Sequence, residues 1–309
     1  MAACVVVVLA ALTCGAYATD RPVIGVLAQG TYGHFAKYGH MYIAASYVKF
    51  VEAAGGRAVP VFNNLTAEQA GEVFEQLNGV LLPGGGANLS DSGYALNSRV
   101  LINKSIEAFK KGDHFPVWAT CRGMEELVAM FGSSDLLSFF DSSNISLPLK
   151  FTKLAADSKL LGSCPDEIAQ WLRVEPLTMN FHRLGISPES FESTVSLANV
   201  FDVLATSTDR DGKEFVSLIE ARDYPIFSSI FHPEKSMFEW NSKYDINHSL
   251  HAVKAAQYFA DFFVNEARAS THSFPANTDA AAAALHLFYD YEPVYTGKNG
   301  SMFEQCYFF

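Results

Sequence analysis

Between Val23 and Met130, short apolar runs alternate with amphipathic stretches, and this alternation constrains the fold more than any other feature. Val23–Ala28, Arg57–Phe62, Gly79–Leu82 and Val117–Thr120 have the composition of buried strands. Gly39–Ala54 has helical spacing and stops at Gly55-Gly56, a C-cap signal. Thr66 with Gln69 forms a capping box, predicting a helix that ends near Asn78-Gly79. Ser98–Lys111 predicts another, closed by Gly112. Such alternation predicts an α/β fold with a mostly parallel central sheet covered by helices on both faces. Beyond a less regular middle, from Phe131 to about Leu197, strands are expected at Val200–Thr206, Glu214–Glu220 and Tyr224–Phe231. His248–Arg268 reads as a long amphipathic helix. The aromatic tail Leu285–Phe309 is expected to pack on the body, and Ala280–Ala284 to form a surface segment. With no internal repeat and no linker, residues 19–309 are read as one domain.

The first residues address the compartment. An apolar run, Val5–Leu12, precedes Ala16-Tyr17-Ala18, a small-x-small cleavage pattern. Residues 1–18 therefore read as a secretory signal peptide, although no Lys or Arg precedes the apolar run. No later run is long and apolar enough to cross a bilayer, so no membrane partner is expected. Glycosylation acceptors agree with secretion, among them Asn64, Asn103 and Asn299. Removing the leader takes two of five cysteines and leaves Cys121, Cys164 and Cys306. That number suits a functional free thiol better than a disulfide framework, and a Cys164–Cys306 bridge stays open. A net charge of −11 argues against nucleic acid as a partner.

Chemistry concentrates at Pro116–Leu127, which reads Pro-Val-Trp-Ala-Thr-Cys-Arg-Gly-Met-Glu-Glu-Leu. The apolar strand gives way to a helical pattern at Cys121, between the small residues Ala119 and Gly123. A sharp strand-to-helix turn lifts one side chain out of the sheet edge, as in a nucleophile elbow. The helix N-terminus is expected to favour the thiolate there. The plainer alternative is a buried structural cysteine. A cysteine nucleophile needs a base, and His232 directly follows the apolar run Tyr224–Phe231. Glu234, two residues on, is spaced to orient its ring. His232 as a loop histidine capping a carbonyl is the competing reading. Oxyanion donors are expected from the Arg122 N–H and from Gly84–Gly86, with Gly85 and Gly86 chosen.

Leu82-Pro-Gly-Gly-Gly86, the Cys121 elbow and Phe231-His-Pro-Glu-Lys235 stand in an order that resembles the glutamine-amidotransferase-like hydrolases. A narrower similarity, to the γ-glutamyl hydrolase family, rests on four further stretches. They are Tyr42-Ile-Ala-Ala-Ser-Tyr-Val48, Val174 through His182, Phe262 through Arg268, and Tyr295 through Tyr307. The resemblance implies a flavodoxin-like three-layer sandwich, often a homodimer, in lysosomes or secreted. It implies cleavage of poly-γ-glutamyl folates and antifolates with no metal or organic cofactor. Carried across, Cys121 is the nucleophile, His232 the base and then the acid, and Glu234 the third member. Arg122, His182, Arg183 and Tyr47 become candidate substrate-binding residues. Two positions depart from the family pattern: Ala119 stands where Gly is usual, and Arg122 where an apolar residue is usual. Still open are a hydrolase of other γ-glutamyl peptides or amides, a glutaminase unit, and a secreted binding protein that has lost turnover.

Overall fold

The computed structural model describes residues 18–273 and 288–309. Residues 1–17 of the expected signal peptide and the Ala280–Ala284 run lie outside them. The chain opens with strands β1 (Val23–Leu27), β2 (Gln29–Gly30) and β3 (Met41–Ala44), then helix α1 (Ala45–Ala53). Next come β4 (Arg57–Val61), α2 (Ala67–Phe74), β5 (Gly79–Leu82), α3 (Gly93–Phe109), β6 (Val117–Thr120) and α4 (Arg122–Phe131). The middle holds β7 (Ser138–Leu147), β8 (Lys150–Phe151), α5 (Lys159–Gly162), α6 (Asp166–Val174) and β9 (Thr178–Gly185). After α7 (Pro188–Ser193) and α8 (Val195–Ala198) follow β10 (Phe201–Thr208), β11 (Glu214–Ala221) and β12 (Ile226–Ser229). Helices α9 (Lys235–Phe238) and α10 (Leu250–Arg268) precede the last strand, β13 (Cys306–Phe308).

Eight strands form the main sheet in the order β4-β1-β5-β6-β12-β11-β10-β8. From β4 to β12 neighbours run parallel, whereas β11, β10 and β8 join antiparallel, so the sheet is mixed. Side chains alternate across it, as the strand period of two requires. Ile24, Val26 and Trp118 enter a core with α1 and α10, while Val23, Leu27, Val117 and Ala119 enter one with α3 and α4. Trp118 anchors the first core among the rings of Phe50, Phe259 and Phe263. Its indole N–H donates to Thr120 Oγ1 at 3.1 Å, which satisfies the one polar group it buries. A three-stranded sheet, β13-β3-β2, and the antiparallel pair β7-β9 stand apart.

Most expected elements are present, with informative shifts. β5 and β6 have the expected bounds, and both halves of the Thr66–Gln69 capping box form. The helix expected over Gly39–Ala54 begins only at Ala45. Its first part is β3, because Tyr42–Ala44 pair with β13 at the far end of the chain. This pairing also packs the described part of the aromatic tail onto the body. Helix α3 starts five residues before Ser98, where Ser92 Oγ accepts from the Ala95 N–H at 3.1 Å. Cys121, Cys164 and Cys306 are all free thiols, so the Cys164–Cys306 bridge does not form. Asn64, Asn103 and Asn299 are exposed. Among the described residues no helix is long and apolar enough to cross a membrane.

Gly123 fixes how closely α4 approaches the sheet. A Cβ there would stand 2.6 Å from Leu82 O and 3.0 Å from the Ala119 methyl. The extra methyl at Ala119 is thus accommodated against a glycine in the first turn of α4. Gly123→Ala is expected to cost about 1–3 kcal/mol by overpacking, read as a lower urea midpoint with an unchanged slope.

Candidate active site

The three motif stretches leave the carboxyl ends of three neighbouring parallel strands, β5, β6 and β12. Ligands of open α/β sheets collect at that edge. Cys121 has φ 52° and ψ −103°, a conformation rare for a residue with a side chain. Two backbone bonds hold it there. Its N–H donates to Ser229 O at 2.8 Å, and its carbonyl accepts from the Glu125 N–H at 3.0 Å.

Gly84 lies where these elements converge. A Cβ there would stand 2.8 Å from His232 Cε1, 2.8 Å from the Tyr47 hydroxyl and 3.1 Å from Cys121 Cβ. Cys121 and the imidazole therefore border one small space, although more than a hundred residues separate them. His232 Nδ1 is 2.8 Å from Glu234 Oε1, and no described residue bonds Nε2. Tyr47 Oη accepts from the Gly84 N–H at 2.9 Å and lies 3.1 Å from His232 Nδ1. It links the glycine loop to the imidazole, a role its helical position alone does not reveal.

Burial decides the protonation states. It pushes the Cys121 thiol well up, and the Glu125 and Glu234 carboxylates add to this against the Arg122 charge and N–H. The helix N-terminus therefore does not leave a resting thiolate, contrary to expectation, and the thiol needs a base. Burial also lowers the His232 pKa, despite the opposing pull of Glu234. For Glu234, burial works upward, but His232, its hydrogen bond and Lys235 prevail and hold the carboxyl below its usual range. A carboxylate facing Nδ1 fixes the proton there and leaves the Nε2 lone pair open. Tyr47 is pushed well up by burial, Glu234 and Cys121, so it stays a hydroxyl.

The backbone geometry bears on the expected oxyanion donors Arg122, Gly85 and Gly86. The Arg122 N–H lies beside the Cys121 thiol and acts on it, where a donor next to the nucleophile is expected. Gly84, the nearest glycine, has its N–H taken by Tyr47, whereas Gly85 backs onto Gln29 and Gly86 faces the Tyr32 ring. The N–H groups of Gly85 and Gly86 donate to no described residue.

His182 is buried on β9, with Nδ1 2.8 Å from Leu184 O and Nε2 3.1 Å from the Asn180 side-chain amide. Burial pushes its pKa down to about 3, so the ring is neutral and already engaged by the protein. Arg183, next on the strand, is exposed. The Arg122 side chain is neither free nor in solvent: Nη1 lies 2.5 Å from Glu125 Oε2, while its buried Nε has no partner. Among the described residues no group of three or more His, Cys, Asp or Glu is arranged to hold a metal.

Behind the elbow, Glu126 is fully buried and accepts from Arg99 Nε at 2.8 Å. Arg99 also donates to Ser90 O and Leu89 O, which ties the loop after Gly86 to α4. Burial raises the Glu126 pKa to about 7 against the pull of Arg99. A folded-state pKa above the unfolded one contributes stability that is full at acid pH and lost as pH rises toward 7. Glu126→Gln carries no such titration. Its stability relative to wild type is expected to rise between about pH 5 and 8, by on the order of 3 kcal/mol, in denaturant titrations at both pH values.

With this geometry in place, the chain compares as follows with known proteins. Residues 22–234 match the Peptidase C26 family. A mouse protein named gamma-glutamyl hydrolase is 44% identical over 294 residues, 95% of this chain and 91% of its own. Gamma-glutamyl hydrolase B of Dictyostelium discoideum is 43% identical, over 94% of this chain and 83% of its own. The human protein named gamma-glutamyl hydrolase is 42% identical over 99% of this chain and 98% of its own. The thiol at 121 and the imidazole at 232 thus sit in a chain that belongs to the Peptidase C26 family.

Proposed function

We propose that this chain hydrolyses γ-glutamyl bonds with Cys121 as nucleophile, and that its substrates are poly-γ-glutamyl folates and related antifolates. The carrying observation is the convergence of Cys121 Cβ and His232 Cε1 beside Gly84, with Nε2 unengaged. His232 Nε2 takes the thiol proton as sulfur attacks the γ-carbonyl. Negative charge then grows on the carbonyl oxygen, where the N–H groups of Arg122 and Gly85 can receive it. The imidazolium gives its proton to the departing α-amine, leaving a γ-glutamyl thioester. Water, deprotonated by the same ring, hydrolyses the thioester and restores the thiol.

Glutamate tails carry an α-carboxylate at every residue, so recognition calls for cations near the sulfur. Arg122 is the best candidate, since its Nε is unpartnered and its guanidinium acts on Cys121. Arg183 is exposed one strand away, and His182, neutral and engaged, is the weakest of the three. Helices on both sheet faces support the flavodoxin-like three-layer description. A single catalytic domain after residue 18, a homodimer and a secretory or lysosomal address belong to the same reading.

Wild type and Cys121→Ala, assayed side by side on a pteroyl-polyglutamate, test it. The variant is expected to lose at least about 10⁴-fold in kcat while still binding substrate. Binding without cleavage by both proteins would instead favour a binding protein, and ammonia release from glutamine a glutaminase. Tyr47→Phe, which unlinks Gly84 from His232, is expected to lower kcat about tenfold with KM little changed. An unchanged kcat would remove Tyr47 from the machinery.

A further inference from the structure

Lys235 follows the triad carboxylate and opens α9, yet it is fully buried. Its Nζ has no hydrogen-bond partner among the described residues. It lies instead against two aromatic faces, 5.0 Å from the ring centroid of Phe181 and 4.4 Å from that of Phe303. Phe181 in turn meets the His232 imidazole edge-on, with centroids 6.1 Å apart. A single ring therefore bridges the ammonium and the base.

Burying an ammonium costs several kcal/mol unless its surroundings answer the charge. Here two buried carboxylates do so, Glu234 and Glu239. Glu239 is fixed in turn by the Glu304 N–H, 2.6 Å from Oε2. The two rings add cation–π attraction. They also set a limit on where the ammonium can go. Glu234 presents Oε1 to His232 Nδ1 and Oε2 to no described partner, and the ammonium bonds neither oxygen. Held against ring faces, Lys235 supplies a positive field without taking that hydrogen bond, and Glu234 Oε1 stays 2.8 Å from Nδ1.

We propose that Lys235 is a positioning residue of the hydrolase: its buried ammonium, held one ring from the imidazole, leaves Glu234 Oε1 to His232 Nδ1 and sets the pH range in which Nε2 can accept the Cys121 proton. The kinetic part rests on the hydrolase reading above; the state of the imidazole does not.

Several groups face this assembly. Tyr47 comes from α1, Cys121 from the elbow with Arg122 and Glu125 acting on it, and His182 from β9. Glu239 lies at the end of α9 and Cys306 on β13, and Lys235 acts on both. Only Lys235 among these is a cation acting directly on both His232 and Glu234. Removing a positive charge favours the imidazolium, so His232 should titrate at higher pH. The acid limb of kcat/KM should move the same way.

The test uses Lys235→Met and Lys235→Arg in the full chain. One readout is kcat/KM on a γ-glutamyl substrate between about pH 4 and 9. The other is an NMR titration of the His232 ring in the Cys121→Ala background. Lys235→Met is expected to move both the acid limb and the NMR midpoint up by about one pH unit. Below the limb kcat/KM then falls about tenfold, with KM little changed. Lys235→Arg is expected to keep both at the wild-type position. An unmoved midpoint in Lys235→Met, or an equal loss at every pH, would overturn the proposal. If Lys235→Met does not fold, Lys235→Gln carries the same expectation. If wild type cleaves nothing, the hydrolase reading falls and the NMR midpoint alone decides the role of Lys235.

Discussion

One backbone hydrogen bond, from the Cys121 N–H to Ser229 O at 2.8 Å, ties the two halves of the site together. It continues the β6–β12 ladder one residue past Thr120, at the point where the chain must turn into α4. The turn puts a cysteine at positive φ, which costs on the order of 1–3 kcal/mol and persists only where surroundings enforce it. Here the enforcement comes from the ladder on one side and from Gly123 against Leu82 on the other. Because the same bond ends on β12, it also sets how far the sulfur stands from the chain that carries His232. A shift of either strand would move nucleophile and base apart together.

What could be read from the sequence follows from what is local. β5 and β6 were legible to the residue because four-residue apolar runs bounded by Gly, Pro and the elbow leave no other register. The capping box over Thr66 and Gln69 was legible because both of its bonds close within four residues. The elbow and the His-Pro-Glu turn were legible because each joins a strand end to a chemically specific residue. What failed depends on partners far along the chain. Tyr42–Ala44 has helical spacing, and pairing on both sides, with β2 and with β13 more than 260 residues away, makes it a strand. The β7–β9 pair and the addition of β8 to β10 are likewise set by long-range pairing, whereas β10, β11 and β12 form a local antiparallel meander, so a parallel-sheet expectation covered only part of the architecture. The thiolate was expected from the helix N-terminus, and burial, which a sequence does not print, outweighed it. Tyr47 was named only as a candidate substrate-binding residue and Lys235 not at all, since each matters through what it touches.

The charges around the site form three groups that burial makes expensive. Arg122 holds Glu125, Arg99 holds Glu126, and Lys235 stands between Glu234 and Glu239. Well-packed apolar residues would often serve stability as well or better. Each group instead fixes one part of the reacting geometry. Arg122 and Glu125 flank the sulfur, Arg99 staples the loop that carries the glycines, and Lys235 stands one ring from the imidazole. In all three the charge is spent on orientation.

This arrangement also explains how a protonated thiol is compatible with catalysis. With the thiol pushed up and the imidazole pushed down, the proposed mechanism moves the proton only as the carbonyl carbon is attacked. An ion pair formed beforehand would have to be kept in a nearly dry space, at a cost borne by every resting molecule. An ion pair formed during attack meets Glu234 already aligned on one side and the Arg122 N–H on the other. The negative charge leaves sulfur for the carbonyl oxygen, while the positive charge on the ring is held by a carboxylate that does not have to move. Dipoles and charges fixed before the reaction stabilise the transition state more than the ground state, and that difference accelerates the chemical step.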